Sequence, residues 1–145
     1  MTIDAPSADP ADVLLALTDE GRRFLADRHL ATLSTIGPHG DIHVVAVGFT
    51  LGDDGCLRIT TNDRSQKIRN LERDPRATVA QVDGRHWLSI AGHAEIERDA
   101  EAVAHAVALY TNRYREPGEN PNRVVIRITP ERIMSSPGLR SMRNA

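Results

Sequence analysis

The sequence predicts a mainly β domain, a six-stranded antiparallel barrel with helices added at three points. Three observations carry that expectation. Apolar and polar residues alternate through several short segments, as they do in half-buried strands. The segments at 30–36, 41–51 and 56–61 lie too close in sequence for the crossover helices that parallel strands need. Between the strands stand helical stretches opened by capping residues, and closing six strands on themselves leaves no exposed edge.

Residues 1–10 read as a loose tail and 11–145 as one domain, in keeping with a length of 145 residues. A short helix is expected over 11–17. Thr18 then precedes Asp19 and Glu20, a cap followed by acids in the first turn, so a helix is expected over 19–28 with Phe24 and Leu25 as its apolar pair. A strand at 30–36 ends in the turn Gly37-Pro38-His39-Gly40. In the second strand, 41–51, His43, Val45, Val47, Phe49 and Leu51 share one face, and Ile42, Val44, Ala46 and Gly48 share the other. Both faces are apolar, so this strand is expected to be central and covered on both sides. Gly52-Asp53-Asp54-Gly55 forms a hairpin turn into a third strand at 56–61. A basic helical segment, strands at 77–82 and 86–97, and a helix capped by Asp99 and running to about Tyr114 follow. A loop at 116–122 leads to a last strand, 124–128, which resumes beyond Pro130.

Composition narrows the function classes. The formal net charge of −2 supplies no field for nucleic acid. Cys56 is the sole cysteine, which suits a reducing cytosol. The first ten residues have neither the basic region nor the apolar run of a signal peptide. No stretch approaches the roughly 18 apolar residues that span a bilayer. A soluble, cytoplasmic protein with no membrane or nucleic-acid partner is expected. Charge is nonetheless uneven: five bases face three acids over 62–76, and seven arginines face three glutamates over 113–145. An anionic ligand is therefore worth testing.

The segment from Thr60 to Leu71 is where chemistry concentrates. It is the end of a strand, a polar turn and the start of a short helix. Backbone N–H groups at a helix N-terminus are unpaired and carry partial positive charge, so an anion is favoured there. Thr60, Thr61 and Ser65 add hydroxyls. Arg64 and Lys67 are read as lying in the first turn, where their charge opposes the dipole; a bound phosphate removes that conflict. Lys67 is also the only lysine beside seventeen arginines, and an ammonium suits a point contact with one phosphate oxygen. A solvated amphipathic helix explains the same residues equally well on spacing alone. His39 and His43 flank Gly40 at a turn, so no metal site is expected from them.

These motifs resemble a known family. Thr60-Thr61-Asn62, Ser65-x-Lys67, Asp74-Pro75-Arg76 and Gln81-Val82-Asp83-Gly84 are similar to the pyridoxamine-phosphate-oxidase-like split-barrel family, over about residues 30–97. With Val44-Val45-Ala46-Val47-Gly48-Phe49, Trp87-Leu88-Ser89 and Arg123-Val124-Val125-Ile126, the chain resembles the branch using the deazaflavin coenzyme F420, and within it the biliverdin reductases. The resemblance implies the FMN-binding split-barrel fold and a homodimer with two cofactor sites at its interface. It implies the cofactor phosphate against Thr60, Thr61, Ser65, Gln66 and Lys67, and the ring along His43, Val45 and Val47. Gln81 would approach the ring, and Trp87 would lie near the partner's site. The small residues Ala46 and Gly48 would let a ring lie against the strand.

Oxidases of the family that bind FMN have Ser-Arg-Lys where this chain has Ser65-Gln66-Lys67. One base fewer favours a singly charged phosphodiester, which F420 carries, over a phosphomonoester. The implied activity is hydride transfer from reduced F420 to a conjugated acceptor, biliverdin foremost. Arg113, Arg115, Arg123 and Arg127 would meet the carboxylates of such a linear tetrapyrrole or the coenzyme's tail. No catalytic acid is assigned. The alternatives are an FMN-dependent oxidoreductase and a non-catalytic module for flavin, deazaflavin or haem.

Overall fold

A computed structural model describes residues 13 and 15–141. The expected tail lies outside the described residues, as does much of the first expected helix, of which Val13 and Leu17 reach the core. The elements that follow are α1 (Asp19–Ala26), β1 (Ala31–Ile36), β2 (Ile42–Val47), β3 (Thr50–Leu51), β4 (Leu57–Asn62), α2 (Gln66–Arg73), β5 (Arg76–Asp83), β6 (His86–Glu97), α3 (Ala100–Arg113) and β7 (Arg123–Ser135). Among the described residues no helix is long and apolar enough to cross a membrane.

The strands form one antiparallel sheet in the order β2-β1-β5-β6-β7-β4-β3. Its two edges, β2 and β3, are consecutive in the chain and joined only by Gly48 and Phe49. In a flat sheet seven strands wide those edges would stand about 29 Å apart, at roughly 4.8 Å per strand. Two residues cannot reach that far, so the sheet must curl into a barrel that is split where β2 gives way to β3.

This corrects two expectations. There are seven strands rather than six, because the alternation at 41–51 runs on through a bend at Gly48-Phe49 that changes the pairing partner from β1 to β4. The second strand is also an edge rather than a central strand: Ile42 and Val44 are 62 % and 55 % exposed. Its outer face is apolar without being covered by this chain.

Local signals account for the helices. Thr18 Oγ1 accepts from Gly21 N at 3.0 Å, and Asp99 accepts from Ala102 N at 3.0 Å. Each such cap contributes about 1 kcal/mol. α1 stops at Ala26, two residues short of the expected end. Inside the barrel, Leu33, Leu57, Ile59, Val79, Leu88, Ile90, Ile126 and Ile128 form the core, closed by Phe24 and Leu25 of α1 and by Ile68 and Leu71 of α2. α3 lies over the outside of β3, β4 and β7, where Ala106 and Val125 are buried.

The last strand does continue past Pro130. A register shift lets it do so, since Ala91 pairs with Arg132 and Gly92 with Pro130, leaving Glu131 as the extra residue. A bulge accommodates a residue that lacks an N–H in a ladder. Gly92 packs so tightly there that an added Cβ would stand 2.1 Å from the Thr129 carbonyl oxygen. Gly92→Ala is therefore expected to destabilise the fold by about 2 kcal/mol, measured by urea denaturation.

Arg58 is buried beside Asp54, which accepts from its guanidinium at 2.9 and 2.6 Å. The Arg58 hydrogen bonds chiefly hold the Asp54 carboxyl at about 2, below its ordinary 3.8. The folded-state value is depressed, so this contribution is complete above about pH 4 and is lost as pH falls toward about 2. Between pH 5 and pH 3 the native protein should lose more stability in denaturant titrations than Asp54→Asn does.

Candidate functional site

β4 ends at Asn62 and α2 begins after Ser65, so the Thr60–Lys67 segment is a strand-to-helix turn. Asn62 Oδ1 accepts from Arg64 N at 2.9 Å, and Asn62 O accepts from Ser65 N at 3.0 Å. Ser65 stands at the cap position, yet its hydroxyl makes no capping bond. Its Oγ is buried with no hydrogen-bond partner among the described residues. The amides of Gln66, Lys67 and Ile68 precede the first intrahelical donor, Arg69 N, which reaches Ser65 O. No acid lies in the first turn of α2.

Lys67 is half-buried, and burial pulls its pKa below the ordinary value. Its ammonium has no ion pair among the described residues. The nearby acids are committed elsewhere: Arg98 donates to Asp63 at 2.9 Å and to Glu72 at 3.2 Å. Buried charges are normally paired. An orphaned serine hydroxyl, free amides and an uncompensated ammonium form the donor set of an anion site, and a phosphate group fits it. Arg64, expected in the first turn, instead precedes the cap and is exposed, because the helix starts later than the polar spacing suggests.

The other expected residues divide. Thr60 and Thr61 are adjacent in β4 and so face opposite sides of the sheet. Gln66 does not turn to the anion site; its Nε2 donates to Asn70 Oδ1 at 2.8 Å, and the buried Asn70 donates to Thr35 Oγ1 at 3.0 Å. His43 is half-buried on β2, with Nδ1 unpartnered among the described residues. Val45 packs against the core and Val47 belongs to it, so the open side of β2 is that of Ile42, Val44 and Ala46. A ring does lie against Gly48, but it belongs to the protein: an added Cβ would meet Tyr114 at 3.1 Å and Tyr110 at 3.2 Å.

Gln81 and Arg113 are engaged with each other. Gln81 is 1 % exposed; its Nε2 donates to Phe24 O at 2.7 Å and its Oε1 accepts from Arg113 at 2.6 Å. Arg113 also donates to the carbonyls of Asp27 and Phe49. With every side-chain polar atom of Gln81 used, the amide is a structural tie. Arg113 likewise anchors backbone near the split with two of its nitrogens. Arg115 is exposed, Arg123 donates to Gly118 O, and Arg127 lies 3.7 Å from Asp54. Trp87 is part-exposed on the outer face, opposite Val82. Reading the sequence missed Asn70 and Arg98; each acts on residues at least 26 positions away, save Asn70's bonds within its own helix.

A curled antiparallel sheet split between two joined edges, with a strand-to-helix turn between β4 and α2, defines a split-barrel class of fold. The chain belongs to the pyridoxamine 5'-phosphate oxidase family, which it matches over residues 17–136. It is 44 % identical over 124 residues, 85 % of this chain and 90 % of the relative, to an F420H(2)-dependent biliverdin reductase of Mycobacterium tuberculosis. Among solved structures it resembles a conserved hypothetical protein from Mycobacterium tuberculosis, with TM-score 0.71 and 29 % identity over 91 % of this chain and 89 % of that one. It also resembles an F420 reductase, with TM-score 0.65 and 25 % identity over 78 % and 94 % of the two chains.

An unpaired half-buried ammonium disfavours the free fold. Because its folded-state pKa is lowered, the penalty is present at neutral pH and fades as pH rises toward 10.5. Lys67→Met should therefore leave the thermal midpoint of the ligand-free protein unchanged or higher at pH 7. Any gain should shrink by pH 10.

Proposed function

We propose that the protein is an F420-dependent reductase, a cytoplasmic homodimer that passes a hydride from the reduced deazaflavin to a conjugated acceptor, biliverdin first among them. The observation that carries this reading is the half-buried Lys67 ammonium at the α2 turn, which has no ion pair among the described residues. One buried ammonium matches one negative charge, which is what a phosphodiester brings; Arg64 and Arg69 beside it are exposed. A phosphomonoester, nearly dianionic at neutral pH, would want a second base, and Gln66 is neutral and turned along the helix toward Asn70. The strong likeness to an F420H(2)-dependent biliverdin reductase supports the same coenzyme and acceptor.

When bound, the reduced deazaflavin supplies the hydride. The chain's own residues bind and orient. Ser65, Lys67 and the first amides of α2 hold the phosphate, with one of Thr60 and Thr61 beside them. The β2 backbone from His43 to Val47 carries the ring, and His43 brings the one polar side chain of that stretch. Arg115, Arg123 and Arg127 are the arginines left to meet carboxylates of the acceptor or of the coenzyme tail.

The outer sheet face supports the dimer. Ala46, Thr32, Ala80, Ser89 and Met134 stand side by side across five strands, flanked by Val44, Val82 and Trp87. Small residues bordered by exposed large apolar ones make a flat surface of the kind an interface covers. Val44→Asp should convert the dimer to monomer in analytical ultracentrifugation.

Fluorescence titrations with F420 and FMN test the coenzyme. F420 should bind more tightly, and Lys67→Ala should weaken it at least tenfold, about 1.4 kcal/mol, with the fold intact. Gln66→Arg should move the preference toward FMN. Tighter binding of FMN by the unaltered protein would overturn the reading, as would failure of reduced F420 to be oxidised by biliverdin.

A further inference from the structure

A cleft of about 280 Å³ opens between α1, α3 and β3. It is separate from the phosphate turn. Thr50 and Leu51 pair with Arg58 and Leu57 at the start of β4, whereas the turn follows the strand's last residue, Asn62. Five residues of extended chain, roughly 17 Å, lie between them. The volume falls just below that of most small-molecule sites, roughly 300–1,000 Å³, so any occupant must be compact. Leu25, Leu51 and Leu109 give the cleft apolar walls, and Thr50, Asn112 and Arg113 bring polar groups.

Two of those groups are left wanting. Thr50 is 4 % exposed, and its hydroxyl has no hydrogen-bond partner among the described residues. Arg113 donates to two carbonyls and the Gln81 amide, which engages its three nitrogens once each and leaves two of its five N–H groups over. None of these partners is an anion. Burial lowers the Arg113 pKa, and the exposed Asp27 offsets that only in part. The C-terminal ends of α1 and α3 also meet here, but each brings at most a screened half charge. Arg22 lines the same cleft. The Arg113 guanidinium thus stands in an apolar frame with N–H groups to spare and no carboxylate partner among the described residues.

We propose that this cleft is a second small-molecule site, taking a compact aromatic or branched carboxylate. Its apolar body lies on Leu25, Leu51 and Leu109, and its carboxylate reaches Arg113 and Thr50. Arg113 also holds the Phe49 carbonyl, so a ligand here fastens the join between the two sheet edges and stabilises the fold by mass action.

Benzoate and its uncharged counterpart benzamide are suitable probes, titrated into the isotope-labelled full chain. Benzoate should raise the thermal midpoint and shift the amide resonances of Leu25, Thr50, Leu51 and Leu109 while Ser65 and Lys67 stay still. Benzamide should bind at least tenfold more weakly. Leu109→Trp, which fills the cleft, should abolish the benzoate shifts yet leave the F420 titration unchanged. Should that variant fail to fold, Thr50→Val, nearly isosteric, should weaken benzoate several-fold. Absence of shifts at the cleft, shifts confined to the 65–67 turn, equal binding of benzamide, or full benzoate affinity in Thr50→Val would each overturn the proposal.

Discussion

The two-residue join between β2 and β3 is the constraint from which the rest of the molecule follows. Gly48 and Phe49 tie the two edges of a seven-stranded sheet, so the sheet cannot lie flat. The join has no strand partner of its own, and side chains from the end of α3 satisfy it. Tyr114 Oη accepts from Phe49 N at 3.3 Å and donates to His29 O at 2.7 Å, while Arg113 donates to Phe49 O. Gly48 leaves room for the Tyr114 ring, which any side chain there would displace. Closing the barrel in this way leaves one outer face bare along β2, β1, β5 and β6. Elsewhere it buries Arg58, whose guanidinium pairs with the exposed Asp54.

The anion turn inherits its character from that frame. β4 is held between β3 and β7, and Ile68, fully buried, fixes the first turn of α2 against the barrel. Among the described residues Lys67 is thereby half-buried without a counter-ion, the Ser65 hydroxyl is buried without a hydrogen-bond partner, and Arg98 pairs with Asp63 and Glu72. A fold optimised only for its own stability would place an acid in that turn. In the proposed reading, a phosphodiester would complete this unpaired set of donors.

Much of this was legible in the sequence because the signals were local. Thr18 and Asp99 mark helix starts through bonds that span three residues, and glycine turns mark the hairpins. The edge position of β2 was hidden because an apolar face reads alike in sequence whether or not its own chain covers it. The break at Gly48-Phe49 was hidden because the alternation continues through it. Gln81 was expected near the ring from the family resemblance and Arg113 near carboxylates from its charge; in the structure they bond each other across 32 positions. Lys67 stood out in the sequence because a lone lysine opposing a helix dipole is a conflict visible without coordinates.

The most direct measurement is the pKa of the Lys67 ammonium itself, followed by side-chain NMR without and with F420. A value below that of an exposed lysine in the free protein, rising when the coenzyme binds, would show the phosphate supplying the absent counter-charge. A value that is ordinary in the free protein and unmoved by F420 would contradict the account.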